Sequence, residues 1–221
     1  MIPPNLFYAS LLLCATLASL LVTLVSWQRR KKVPCAGFMA LYGLTNVIWS
    51  FTYALHWMPV PRPSEFFWVD MTYIGVAFIG ITFLAFVLCY AGWHEFLTKR
   101  NFIFLSIIPV FTLFSLGTDP WLGIFFAGKR ASGSSVIFDG GIGFWIFTSY
   151  SYTLILFSFL IVLQTVFRFP KKYKGQVGTV FLGVVIPVII NVLSFLNVLP
   201  LPDLDLTPIS FSITGVFFAS A

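Results

Sequence analysis

The sequence predicts an all-α integral membrane protein: one bundle of seven transmembrane helices, with the N-terminus outside and the C-terminus cytoplasmic. Three observations predict it. Of 221 residues, 59% are hydrophobic and only 9% charged, whereas an ordinary soluble domain is about half apolar and about a quarter charged. Apolar runs that approach the roughly 20 residues needed to cross a hydrocarbon core recur seven times. The basic residues gather in alternate connections. A soluble enzyme, a nucleic-acid-binding domain and a disordered chain are excluded as readings of the whole sequence, which forms a single membrane domain over residues 1–221.

The first span, near 5–27, has no Lys or Arg before it and Arg29, Arg30, Lys31 and Lys32 after it. That order reverses the basic start of a cleaved signal peptide. Lys99 and Arg100 follow the third span, and Arg168, Lys171, Lys172 and Lys174 follow the fifth, so these three connections hold 10 of the 13 basic residues. Cytoplasmic loops carry the Lys/Arg excess, which places these connections inside. Six of the seven acidic residues (Glu65, Asp70, Asp119, Asp139, Asp203 and Asp205) fall on the opposite side. Contact with anionic lipid headgroups is the plain role for the basic loops.

The second span, 36–57, carries Asn46, Trp49, Tyr53 and His56 at spacings of three, four and three, which puts them on one helical stripe. Counting outward from Ala36, Asn46 lies roughly 15 Å in and His56 roughly 30 Å in. The stripe is either one wall of an outward-open pocket or an interhelical seam, and His56 with Trp57 suits an interfacial belt. The third span, 66–91, opens with Trp68, Asp70 and Tyr73. A carboxylate one turn inside the boundary needs water, a base or a hydroxyl, so Asp70 serves a ligand or pairs with Arg62.

The fourth span, 102–117, is short. After it comes a long outer stretch, Thr118–Gly143, rich in glycine and bearing Trp121, Phe125 and Phe126, which reads as a lid or as a connector. The fifth span, 144–167, offers Trp145, Thr148, Ser149 and Tyr152 near its outer end, as pocket lining or as ordinary glue between helices. The sixth, 177–196, contains Pro187 and Asn191. Proline removes a backbone donor and clashes with the carbonyl four residues earlier, here Gly183, so a bend is expected and Pro187 is the candidate hinge. The seventh, 206–221, begins after Asp203 and Asp205 with Thr207 and Pro208, a helix start of N-cap and proline at N1.

The candidate ligand-binding set for an outer pocket is therefore Asn46, Trp49, Tyr53, Asp70, Tyr73, Trp145, Thr148, Tyr152, Asn191 and Asp205. Catalytic chemistry has little to work with. Mid-membrane lysine for a retinal Schiff base, zinc-protease and serine-hydrolase motifs, deep carboxylate pairs and phosphate-binding glycine loops are all missing. No cofactor and no metal are expected. Cys14, Cys35 and Cys89 show neither metal spacing nor an outer-loop position, and read as small buried hydrophobes.

Three stretches carry a resemblance to a known family. They are Phe86–Asn101 at the exit of the third span, Ile107-Ile108-Pro109 with the turn at Thr118-Asp119, and Asp205-Leu206-Thr207-Pro208-Ile209-Ser210-Phe211 leading into the last span. With the topology, they make the chain similar to the seven-helix N-terminal sensory region of bacterial sensor histidine kinases. The resemblance implies a receptor module in a bacterial plasma (inner) membrane, without catalysis of its own. It also implies an unknown small-molecule or lipid-like ligand, relay through the last two spans, a homodimer, and a cytoplasmic output domain continuing past Ala221. A small secondary transporter or channel is the alternative, and a structural or assembly subunit the third reading.

Overall fold

The computed structural model describes residues 4–60, 66–126, 140–168, 174–195 and 204–220. Among them are seven helices of 14 residues or more: α1 (Pro4–Arg29), α2 (Ala36–Trp57), α3 (Phe67–Tyr90), α4 (Lys99–Gly117), α6 (Ile142–Arg168), α7 (Lys174–Phe195) and α8 (Thr207–Ser220). A 3-10 turn, His94–Phe96, and the short α5 (Asp119–Leu122) complete the list, and no described residue is in a strand. Five of the helices, α1 to α4 and α6, are long and apolar enough to cross a membrane, and 178–190 and 207–219 form shorter apolar helices.

Polar residues mark several of the helix ends. Thr98 caps α4, its hydroxyl accepting from the Asn101 amide at 3.2 Å, which satisfies one of the free donors of the first turn. At α8 the capping acceptor is the Asp205 carboxylate, which takes the Thr207 amide at 2.9 Å. Cys35, just before α2, has a φ of 68°, a left-handed turn that lets the chain reverse between α1 and α2.

α3 is the central helix: 67% of its span is buried, against 22% for α4. It packs on α2, α4 and α6, while α8 nests against α1, α2 and α7. Two glycines set how close the helices approach. A Cβ on Gly75 would land against the Thr45 carbonyl and 2.7 Å from the Trp49 amide, and one on Gly43 would strike Thr23 and sit 3.2 Å from the Ser19 carbonyl. Small residues of this kind let membrane helices approach backbone to backbone. Along α8, Phe218 stacks on Phe86 at 4.7 Å and on Phe83 at 5.8 Å, and Phe211 meets Phe83 edge-on at 6.0 Å.

The cysteines depart from the sequence reading. Cys35 and Cys89, 54 residues apart, are joined in a disulfide. The reason is the α2–α3 hairpin: antiparallel neighbours bring the start of one helix beside the end of the other. Cys14 is exposed on the surface of α1, facing away from the core.

Part of the long Thr118–Gly143 stretch folds back. Asp119 accepts the backbone amides of Phe125 and Phe126 at 2.6 and 3.1 Å, and this turn drives both rings into the bundle, 0% and 1% exposed. Gly141 and Gly143 donate to the Phe125 and Ile124 carbonyls at 2.6 and 3.1 Å. The rest of that stretch, 127–139, where the sequence predicts a lid or a connector, and the segment holding Arg62, Glu65 and the prolines Pro61 and Pro63 lie outside the described residues, as does Asp203.

Candidate functional site

The polar stripe of α2 meets α8 and α1 in the interior. Asn46, 0% exposed, donates through its amide nitrogen to the Ser19 and Ser212 hydroxyls at 2.9 and 2.8 Å and towards the Pro208 carbonyl at 3.2 Å. Ser19 and Ser212 also share a hydrogen bond of 2.9 Å, and Thr16 donates to Ser50 at the same distance. The Asn46 side-chain oxygen has no partner. One helical turn closer to the basic loops, the Tyr42 hydroxyl donates to the Phe211 carbonyl at 2.7 Å. A buried polar group costs free energy unless it is hydrogen-bonded, so this seam holds α8 in one register against α1 and α2.

A second device involves two prolines. α7 continues through buried Pro187, which has no N–H to give the Gly183 carbonyl. That carbonyl instead accepts from the Thr214 hydroxyl of α8. α4 likewise continues through Pro109, leaving the Leu105 carbonyl without its helical donor, and the Tyr150 hydroxyl of α6 donates to it at 2.6 Å. In a membrane helix a proline is tolerated where a neighbour re-satisfies the freed group, and here a hydroxyl from the next helix does so both times.

At the end of the bundle opposite the basic loops, Tyr53 and Asp205 come together: the Asp205 amide donates to the Tyr53 hydroxyl at 3.2 Å. Tyr53 stacks with His56 at 6.1 Å, and Trp57 packs edge-on against Tyr8 at 4.9 Å. Asp205 keeps an exposed edge, yet desolvation by its neighbours raises its carboxyl above the usual pKa, opposed by the hydrogen bonds from Thr207. Trp49 is buried, 5.9 Å from the Phe211 ring. Tyr73 lies in a separate aromatic box with Phe125, Phe126 and Phe147, at 5.1, 6.2 and 6.0 Å. Asp70 is half-buried in the first turn of α3.

The α6 candidates are not gathered with these. Trp145 and Tyr152 are 53% and 51% exposed, on the face turned away from the bundle, whereas Phe147 and Leu154 of the same helix are buried. Thr148 is half-buried between them. Asn191 sits in α7, and its side chain lies outside the described residues. The set thus divides into an α2–α8 group (Asn46, Trp49, Tyr53, Asp205), the Tyr73 box and the α6 surface.

Sequence reasoning missed Thr214, Tyr150, Ser19 and Ser212. A usable signal existed for the first two: each proline inside a membrane helix announces a carbonyl four residues earlier that requires a donor. No group of three or more His, Cys, Asp or Glu among the described residues is arranged to hold a metal.

Residues 11–221 match the family described as the N-terminal 7TM region of histidine kinase. No curated protein and no solved structure matches the chain.

Proposed function

Because the chain belongs to the N-terminal seven-transmembrane family of histidine kinases, a multi-pass membrane sensory region without a catalytic domain, we propose that it is the input half of a sensor kinase in a bacterial plasma membrane. In this reading the basic loops face the cytoplasm and all seven long helices cross. A small-molecule or lipid-like ligand engages the outer end, where the exposed Asp205 lies beside the buried Tyr53 hydroxyl and the half-buried Asp70 opens the helix that carries the Tyr73 box. Dimerisation is part of the proposal, as is an output kinase domain following α8.

The observation that carries the relay is that the freed carbonyl of Gly183 is bonded by Thr214 of α8. Any rearrangement of α7 at Pro187 must break that bond or drag α8 with it, and α8 is the helix that leads to the output. A ligand shifts such an equilibrium only through its differential affinity for the two arrangements. Pro187→Ala in the full-length protein gives α7 its missing donor and relieves Thr214 of its duty. Autophosphorylation in membrane vesicles at equal expression should change in basal level or in response, and unchanged signalling would remove the hinge from the mechanism.

A further inference from the structure

At the end of the bundle that carries the basic loops, a groove of about 400 Å³ opens between α3, α4 and α6. Leu84 and Leu88 of α3 form its floor, Phe104 and Leu105 of α4 one wall, Phe157 and Ile161 of α6 the other. The walls are not closed over: Phe104 is 58% and Phe157 55% exposed. The Tyr150–Leu105 hydrogen bond at 2.6 Å ties α4 to α6 towards mid-membrane, so the groove has a closed inner end and an open mouth at the interface.

The mouth has a different chemistry. Trp93 and Asn101 line it, and the Asn101 amide nitrogen already donates to the Phe96 carbonyl at 2.9 Å. Lys99 and Arg100, both exposed, begin α4 there. The Arg100 guanidinium lies 5.6 Å from the centroid of Phe104, a groove wall, so it hangs at the rim. Glu95, on the 3-10 turn, is the acidic residue nearby in the chain, and among the described residues no ion pair occupies Lys99 or Arg100. The rim is net positive.

We infer that this groove is a binding site for an anionic phospholipid of the leaflet on the basic-loop side, one acyl chain lying over Leu84 and Leu88 and the headgroup phosphate at Lys99 and Arg100. A purely apolar ligand would leave the cationic rim unused, and a soluble anion would leave the groove empty. An amphiphile with a hydrocarbon tail and a negative head uses both. The site is independent of the sensory reading, since it lies at the opposite end from Tyr53 and Asp205.

The test is native mass spectrometry of the delipidated protein offered equal amounts of palmitoyl-oleoyl phosphatidylglycerol and phosphatidylcholine. The first lipid retained should be phosphatidylglycerol, and its preference should fall about fivefold for each cation removed in Lys99→Gln and Arg100→Gln, from the usual contribution of a basic residue near a membrane surface. Leu88→Trp, which fills the floor, should cut retention of both lipids while the helical circular dichroism is kept. Should that variant misfold, the two exposed charge variants still decide the matter. Equal retention of both lipids by the native chain, or an unchanged preference in both charge variants, would overturn the assignment.

Discussion

Replacing Thr214 with valine keeps the shape of the side chain and deletes the proton on which the Gly183 carbonyl depends. The Thr214 hydroxyl also lies 3.0 Å from the Ser210 carbonyl. That acceptor keeps the backbone amide of residue 214 in the helical ladder, so among the carbonyls the loss falls on Gly183; the hydroxyl also meets that of Tyr42, which keeps its bond to the Phe211 carbonyl. Leaving a buried acceptor unsatisfied costs about 1–3 kcal/mol, while interhelical bonds in membranes average ~0.6 and reach ~1.7 kcal/mol. The expected destabilisation of Thr214→Val is therefore about 1 kcal/mol. In a Pro187→Ala background the new alanine amide can bond Gly183, and the same Thr214→Val change should cost only a few tenths of a kcal/mol. Reversible unfolding in mixed micelles, followed by far-ultraviolet circular dichroism on the four chains of the cycle, measures the coupling. It should come to ~0.7 kcal/mol, above the ~0.3–0.5 kcal/mol within which independent sites add. Additive effects would refute the idea that the hydroxyl substitutes for the proline's missing donor.

Tyr150→Phe should behave in the same way towards Pro109→Ala, costing about 1 kcal/mol alone and little in its presence, read by the same unfolding assay. Gly75→Ala should force α2 from α3, because its Cβ meets backbone rather than a movable side chain. A loss of about 1–3 kcal/mol is expected, and a neutral effect would show that the hairpin is looser than described. Labelling with a polymer-linked maleimide should add one unit to the denatured, unreduced chain, at Cys14, and three after reduction. Three units without reductant would dissolve the Cys35–Cys89 link.

Long apolar runs and the alternation of basic loops are local properties, and they make the helical bundle legible from sequence. The α8 start is legible too, since Asp205, Thr207 and Pro208 are adjacent, although the capping atom is the Asp205 carboxylate. Asn46, Trp49 and Tyr53 share a face by simple periodicity. Their partners do not follow, because Ser212 is 166 residues from Asn46 and Asp205 is 152 from Tyr53. The direction in which Trp145 and Tyr152 point is equally hidden: apolar residues and the polar run Thr148–Thr153 are spread around α6, so no stripe marks the inward face. Spacing rules for cysteine ask for short motifs, whereas Cys35 and Cys89 meet through a hairpin whose two ends are remote in sequence.

That sulfur bridge has a topological consequence. Residues 35–89 form a covalent ring that includes the connection between α2 and α3, with α1 and the remaining helices attached as two tails. A protease nick in 58–66 would open the ring into a single branched molecule instead of two fragments, and the halves would part on a denaturing gel only after the sulfurs were reduced. The hairpin that supplies the Asn46 seam and the Gly75 crossing can therefore be cut between its two helices without either losing its mate.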